Sequence, residues 1–443
     1  MIADNNNSIL ISRDGEKKII CLRHMEEYFR TVGFIPLKNS YTNFFFKLIN
    51  FKFLRKAKIL FILILRSKFH FKDIKHNKIV IFDCETTKDI EKILPENSYT
   101  IVSTRIHRIN KIYISKKIIF FILKNFFKRS LKQNYLTALI KEIAPKVVLT
   151  HISHSADFHI ISKILHTEIE FIAIQSGTSN EFTFMPNDMK KNFFVPKLFC
   201  FSEYDKSFYK KNKINVKTLE VTGSIRSALS HEYIKLKKTK INPNKYDICL
   251  ISEPHARLNG DYFQVKNMAD SVGLVAEFTH KLCKKHNLNL VFSGEGEKGK
   301  DTAMCEIYFY RHYLKDYDFN IFQSRDREKE YPSYVNIMQS KLTIGFISTI
   351  LREAISFEKK ILSCNFTGHP DVAFPGLDSG FPKESICILT KPSFELFEKR
   401  VLSILSMSSE KYFSQLGENF SFLMLPTVET TNIIRNKIKP YLN

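Results

Sequence analysis

From about residue 78 the chain alternates short apolar runs with stretches whose apolar positions return every three or four residues. Short continuous apolar runs bounded by polar turns read as buried strands, and the longer spacing reads as amphipathic helix. On that basis "KIVIFD" (78–83), "SYTIVST" (98–104), "VVLTHI" (147–152), "IEFIAIQ" (169–175), "PKLFCFS" (196–202) and "VKTLEVTG" (216–223) are strands. Between them "NYLTALIKEIAPK" (134–146), "ADFHIISKIL" and "EYDKSFYKKN" have helical spacing. "HEYIKLKKTKINPNK" (231–245) is polar and basic without an apolar period, and reads as a linker. The alternation then restarts. "YDICLIS" (246–252), "LNLVFSG" (288–294), "FNIFQS" (319–324), "LTIGFI" (342–347), "KILSCN" and "SICILT" (385–390) are strands, while "YPSYVNIMQS" and "TILREAISFEK" are helices. Helical material follows from "PSFELFEKRVLSIL" onward.

Strand–helix alternation implies parallel βαβ units. Two such halves joined by one linker predict an α/β chain of two Rossmann-like domains facing a cleft, with ligands beyond the carboxyl ends of the strands. The expected boundaries are 1–77 for a basic, apolar segment of the N-terminal domain, 78–232 for the first Rossmann-like domain, 233–245 for the linker, 246–425 for the second domain and 426–443 for a helical tail.

Composition narrows the class. At 443 residues the chain is too long for one ordinary domain, and 44% hydrophobic residues exclude global disorder. Forty Phe, no Trp and heavy use of Lys, Ile and Asn resemble a bias toward AT-rich codons, so single Lys or Phe residues carry little meaning. The eight cysteines are scattered without a C-x-x-C pair, several inside apolar runs, which points to a reducing, cytoplasmic compartment. The first residues are polar, so no signal peptide is expected. The longest apolar runs, "ILFILIL" (59–65) and "IIFFILKNFF" (118–127), fall short of the roughly 20 residues of a membrane helix. Both are flanked by Lys and Arg, which suits either a solvated basic face or an interfacial segment on anionic lipid. The net charge of +23 supports an anionic partner without choosing one. Lys is spread over the whole chain and no zinc-finger, RNP or helix-turn-helix signature is present, so nucleic acid is not the expected partner.

Four windows at strand ends carry candidate chemistry. In "IGFISTILREAISFEKKILSCN" (344–365), Ser348 and Thr349 stand where a strand becomes a helix. A helix N-terminus favours phosphate. A capping box would need Glu or Gln where Leu351 and Arg352 stand, so Glu353 is not a cap partner. Glu353 lies one turn after Thr349 on the same face, placed to accept from sugar hydroxyls. The alternative is an ordinary cap with a Glu on a solvated face. In "VTGSIRSALS" (221–230), Gly223 and Ser224 lead into a helix carrying Arg226, a forked donor for phosphate. In "FIAIQSGTSNEF" (171–182), Gln175, Ser176 and Gly177 end a strand. In "LISEPHARLNGDY" (250–262), Ser252, Glu253, His255 and Arg257 follow the first strand of the second half. "VFSGEGEKGK" (291–300), with two glutamates among its glycines, reads as a loop.

"THISHSADFH" offers His151, His154 and His159, but not the spacing of a helical metal pair, and no Cys or carboxylate cluster completes a site. No metal and no cofactor are expected. His154 or Asp157 at the strand end reads as a general base. The Gly/Pro-rich stretch 366–382, with His369 and Asp371, reads as a surface connection or a cover over a site.

The stretches "PKVVLTHIS…FHIISKIL…EFIAIQSGT", "PKLFCFSEYDKSFYKK…VKTLEVTGSIRSAL", "YDICLISE" and "GFISTILREAISFEKKILSCNFT" resemble, in that order, bacterial surface-carbohydrate (O-antigen and capsule) biosynthesis proteins of GT-B-like glycosyltransferase type. The resemblance implies a metal-independent transferase. A nucleotide-activated sugar would be held mainly by the second domain, at Ser348, Thr349 and Glu353; the strand-end residues Gly223, Ser224 and Arg226 of the first domain and Ser252 and His255 of the second are the further donor-side candidates. A glycan or lipid-linked acceptor would be held by the first, near Gln175, Ser176 and Gly177. It implies a cytoplasmic protein peripheral to the inner face of the membrane. Relatives often carry an acidic residue where Ser153-His154 stands here, which leaves the base as His154, Asp157 or neither. The rival readings are a nucleotide-sugar epimerase or a polyol-phosphate transferase on the same fold. From another class they are a basic nucleic-acid-binding protein or a non-catalytic polysaccharide-assembly protein.

Overall fold

The computed structural model describes residues 8–13, 16–21, 67–71, 76–83, 87–104, 109, 111–178, 192–236, 241–253, 262–297, 301–311, 313–319, 323–325, 331–368, 385–417, 423–425 and 429–442. Contacts divide the chain into two compact units. One comprises Met1–Leu37, Asn180–Phe182 and Leu229–Thr427; the other comprises Lys38–Ser179, Thr183–Ala228 and Val428–Asn443. In the first of these, β1 (Ser8–Arg13) and β2 (Glu16–Cys21) form an antiparallel ribbon.

The unit that includes Thr183–Ala228 contains β3 (Lys68–His70), β4 (Ile79–Phe82), β5 (Tyr99–Val102), β6 (Lys111–Tyr113), β7 (Val147–Thr150), β8 (Glu170–Ile174), β9 (Val195–Cys200) and β10 (Val216–Val221). β3 and β6 make a separate parallel pair. The other six form one parallel sheet in the order β10-β9-β8-β7-β4-β5. Strands covered on both faces need continuous rather than alternating apolar sequence, and all four residues of β4 and of β7 are buried. The helices carry local stop and start signals. Ser130 and Gln133 form a capping box at the head of the helix Leu131–Ile143, and Ala144 ends it in the left-handed region just before Pro145. β5 lies on one side of β4 and β7 on the other, so the carboxyl ends of β4 and β7 flank the topological switch point of this sheet.

The second sheet runs β13-β12-β11-β14-β15-β16, entirely parallel. Its strands are β11 (Tyr246–Ile251), β12 (Leu290–Glu297), β13 (Gln323–Arg325), β14 (Ser340–Gly345), β15 (Lys360–Cys364) and β16 (Ile388–Leu389). This is the doubly wound dinucleotide-fold order, with its switch point between β11 and β14. The core cluster draws on Leu250, Phe292, Ile344, Leu351, Leu362 and Phe397.

Two local expectations are corrected. The helix Ile225–Leu236 covers 231–236, which the sequence pattern assigns to an irregular linker, because Ile234 is buried on its inner face. The glycines after Phe292 are strand rather than loop: β12 runs to Glu297, with a register shift against β13. Glycine is required there, since a Cβ on Gly296 would lie 2.5 Å from the Ala303 Cα. The C-terminal helix Thr430–Ile438 belongs to the same unit as β4–β10, where Lys437 pairs with Glu220 and Lys78 donates to the Leu442 carbonyl at 2.9 Å.

Candidate functional site

At the switch point of the second sheet, β11 ends at Ile251 ahead of Ser252 and Glu253, and β14 ends in Gly345 ahead of Phe346, Ile347 and Ser348. The two ends are tied by the Glu253 carboxylate, which accepts the backbone N–H groups of Phe346 and Ile347, the latter at 3.0 Å, and of Ser348. Gly345 permits this approach, because a Cβ there would sit 3.2 Å from Glu253 Oε2. Burial pushes the Glu253 carboxyl up to about 7, against the pull of the three N–H donors, and nearby Glu295 adds to the rise. A second buried carboxylate sits behind it. Glu306 accepts from Ser252 Oγ and from the backbone N–H groups of Glu295 (2.8 Å) and Gly296 (2.7 Å). Burial holds its carboxyl up, at about 6. The Tyr310 hydroxyl accepts the Glu253 backbone N–H at 3.1 Å.

The helix Thr349–Ser356 starts at this point. Ser348 is its N-cap residue, yet its side chain makes no cap hydrogen bond, and it is half-buried. Glu353, one turn in, is 4% exposed, and its Oε2 accepts the Tyr334 hydroxyl at 2.7 Å. An ordinary capped helix with a solvated glutamate is therefore excluded on both counts. Arg352 points the other way: fully buried, it donates through Nε (3.1 Å) and Nη2 to the Leu423 carbonyl. Chemically, the helix start offers a hydroxyl and a partial positive charge to an anion, with carboxylates at hand for hydroxyl groups.

The switch point of the other sheet is also polar. Asp83, at the end of β4, has φ of 71° and accepts the Thr104 hydroxyl at 2.8 Å. Asp89, in the short helix Thr87–Glu91, accepts Arg226 Nε at 3.2 Å and lies 3.7 Å from Nδ1 of His151, the residue following β7. His151 and Asp89 are buried; Arg226 is the more exposed of the three. Gly223, with φ of 86°, turns the chain from β10 into the helix Ile225–Leu236, and Ser224 Oγ accepts the Ser227 N–H at 3.2 Å.

The sequence-derived residues are therefore distributed as follows. Ser348, Thr349, Glu353 and Ser252 share the switch point of one unit, with Ser252 committed to Glu306. Gly223, Ser224 and Arg226 belong to the other unit. Gln175 is fully buried and binds its own fold: its amide donates to Asp205 (2.8 Å) and Gly177 O (2.9 Å), and its oxygen accepts the Phe201 N–H (3.1 Å). Ser176 and Gly177 are half-buried at the end of β8. Asp157 sits in the first turn of the helix Ala156–Leu165 and pairs with Lys132 at 2.6 Å. Burial pushes the His154 and His159 imidazoles down to about 4. His159 Nδ1 lies 3.2 Å from the Phe194 carbonyl and its ring 4.2 Å from Phe193, a core placement. His255, Arg257, His369, Asp371 and most of 1–77 lie outside the described residues. Among the described residues no group of three His, Cys, Asp or Glu side chains could hold a metal. Sequence reading missed Asp83, Asp89 and the tyrosine partner of Glu353. Asp83 was findable, since it ends a predicted strand as the other candidates do.

No family model matches the chain, and no curated protein matches it in sequence. Solved structures do resemble it. The S. aureus MnaA–UDP co-structure aligns with a TM-score of 0.51 at 14% identity, over 83% of this chain and 97% of that one. A Neisseria meningitidis UDP-GlcNAc 2-epimerase bound to UDP-GlcNAc aligns at 0.46 and 12% identity, over 82% and 99%. The wall teichoic acid polymerase TagF with CDPG aligns at 0.47 and 10% identity, over 95% and 98%. At such identities the likeness is one of fold, and with the two parallel sheets it makes this chain an α/β protein of two Rossmann-like domains, GT-B-like in architecture.

Proposed function

We propose that the chain is a glycosyltransferase that moves a sugar from a nucleotide-activated donor to a growing surface polysaccharide or lipid-linked glycan. The observation that carries this reading is the start of the helix Thr349–Ser356: a cap residue whose hydroxyl is not used for capping, at a doubly wound switch point, with a buried glutamate one turn behind it. Fold likeness to a protein solved with UDP supports a nucleotide as the ligand. Donor phosphate would meet Ser348, Thr349 and the helix dipole, without a metal, and Glu353 would hold hydroxyl groups. Because Glu253 already takes the N–H groups of 346–348, the phosphate would sit over the helix start rather than over the strand end.

For the acceptor proton the reading assigns a histidine imidazole. His154 is kept neutral near pH 7 by burial, and His151 is set beside Asp89 at the other switch point. Asp157 is engaged by Lys132 at 2.6 Å. The same reading places the protein at the inner face of the cytoplasmic membrane, where lipid-linked acceptors are found. Among the described residues no helix is long and apolar enough to cross a membrane.

The test is thermal stabilisation by UDP-, CDP-, GDP- and CMP-linked donors, measured on wild type, Ser348→Ala and Glu353→Gln. One nucleotide class should stabilise wild type, and the variants should need about tenfold more of it. Equal stabilisation of all three proteins by every donor would refute the site. Donor turnover without acceptor would replace transfer by epimerisation.

A further inference from the structure

The helix Lys116–Lys124 and the turns after it depart from the pattern of a surface helix, which is normally apolar toward the core and polar toward water. Here both faces are apolar. Ile118, Phe121 and Ile122 pack into the core that includes the helix Leu131–Ile143. The opposite face carries Ile119, Phe120 and Leu123, continued by Phe126 and Phe127. Phe120 and Leu123 are each 67% exposed and Phe127 is 97% exposed. Ile119 and Phe120 lie four and three positions before Leu123, so these three share one helix face, and Phe126 and Phe127 follow in the turn after Lys124. Lys116, Lys117, Lys124 and Lys128 border it, all exposed. Apolar side chains flanked by lysines match the two layers of an anionic membrane surface, acyl boundary and phosphate headgroups.

We propose that the stripe Ile119–Phe127 with its four lysines is a docking surface for an anionic lipid bilayer, the phenylalanines inserting at the acyl boundary and the lysines meeting lipid phosphate. Charge complementarity chooses the occupant: a net charge of +23 repels a second copy of the chain and attracts acidic lipid. The inference deepens the peripheral-membrane part of the proposed function and does not depend on its donor chemistry.

The experiment is co-sedimentation of the full chain with vesicles of phosphatidylcholine alone, or with about one third phosphatidylglycerol, at low and high salt. Wild type should sediment with the anionic vesicles only, and salt should weaken binding. The double variant Phe120→Ser/Phe127→Ser should lose at least about tenfold in binding, since each buried phenylalanine contributes more than that factor when fully withdrawn from water. Lys117→Glu/Lys124→Glu should lose binding to anionic vesicles while keeping its melting temperature. Wild type remaining in the supernatant, or a double variant that binds as tightly as wild type, overturns the proposal. A wild-type dimer that the double variant disperses, without vesicle binding, also overturns it and makes the stripe a self-association face. Nucleotide-induced stabilisation measured on the same preparations keeps failure of docking distinct from failure of the donor site.

Discussion

Moving from about pH 7.5 to about pH 5 loads protons onto buried groups of opposite type in the two units. In the unit containing β11–β16, Glu253 has its carboxyl raised from 4.5 to about 7 by burial. A raised acid binds its proton more tightly in the folded state. Its contribution to stability is therefore fully present below the unfolded value and is lost as pH rises through about 7. The shift corresponds to about 3 kcal/mol, and Glu306, at about 6, acts in the same direction with a smaller amplitude. In the unit containing β4–β10, burial lowers His154 and His159 from 6.5 to about 4. Lowered bases contribute stability above the unfolded value and lose it as pH falls toward about 4, roughly 2 kcal/mol for each by pH 5. Acidification should thus tighten one half and loosen the other. Hydrogen exchange read segment by segment, corrected for intrinsic rates, is the assay. Amides of β11 and β14 should gain protection by a factor on the order of a hundred at the lower pH, while amides of β8 and β9 lose it. Glu253→Gln should flatten the first response and lower stability at pH 5, because the amide NH2 group confronts a backbone N–H. The same direction of change in both halves, or an undiminished slope in Glu253→Gln, would refute the reasoning.

Other perturbations test single contacts. Tyr334→Phe removes the hydroxyl from a buried carboxylate and should cost about 2 kcal/mol, seen as a drop of several degrees in melting temperature. Arg352→Ala should cost about 3 kcal/mol or more and expose the segment at Leu423 to proteolysis, since it deletes a fully buried side chain and both its bonds to that carbonyl. Gly296→Ala drives a methyl group into Ala303 and should destabilise by about 1–3 kcal/mol in urea titrations. Asp89→Asn should leave the fold intact, and under the proposed function should shift the acidic limb of the pH–rate profile; an unchanged profile would remove the His151–Asp89 pair from the chemistry.

The parts of this molecule legible in the sequence are those whose cause is local. Continuous apolar runs such as "KIVIF" and "VVLT" announce parallel strands buried on both faces, because strand burial needs only neighbouring residues to state it. The Ser348–Thr349 turn and the missing capping box were likewise legible, since capping is decided within one helical turn. Tertiary structure alone decided what buried polar groups bind. Glu253 reaches backbone amides 93 and 94 residues away, Asp89 meets an arginine 137 residues on, and Gln175 is consumed by Asp205, 30 residues on. The last residues of the chain were read as a tail, yet Lys437 pairs with Glu220 across 217 positions. A buried polar group must find a partner wherever the fold provides one, and no sequence period records that search.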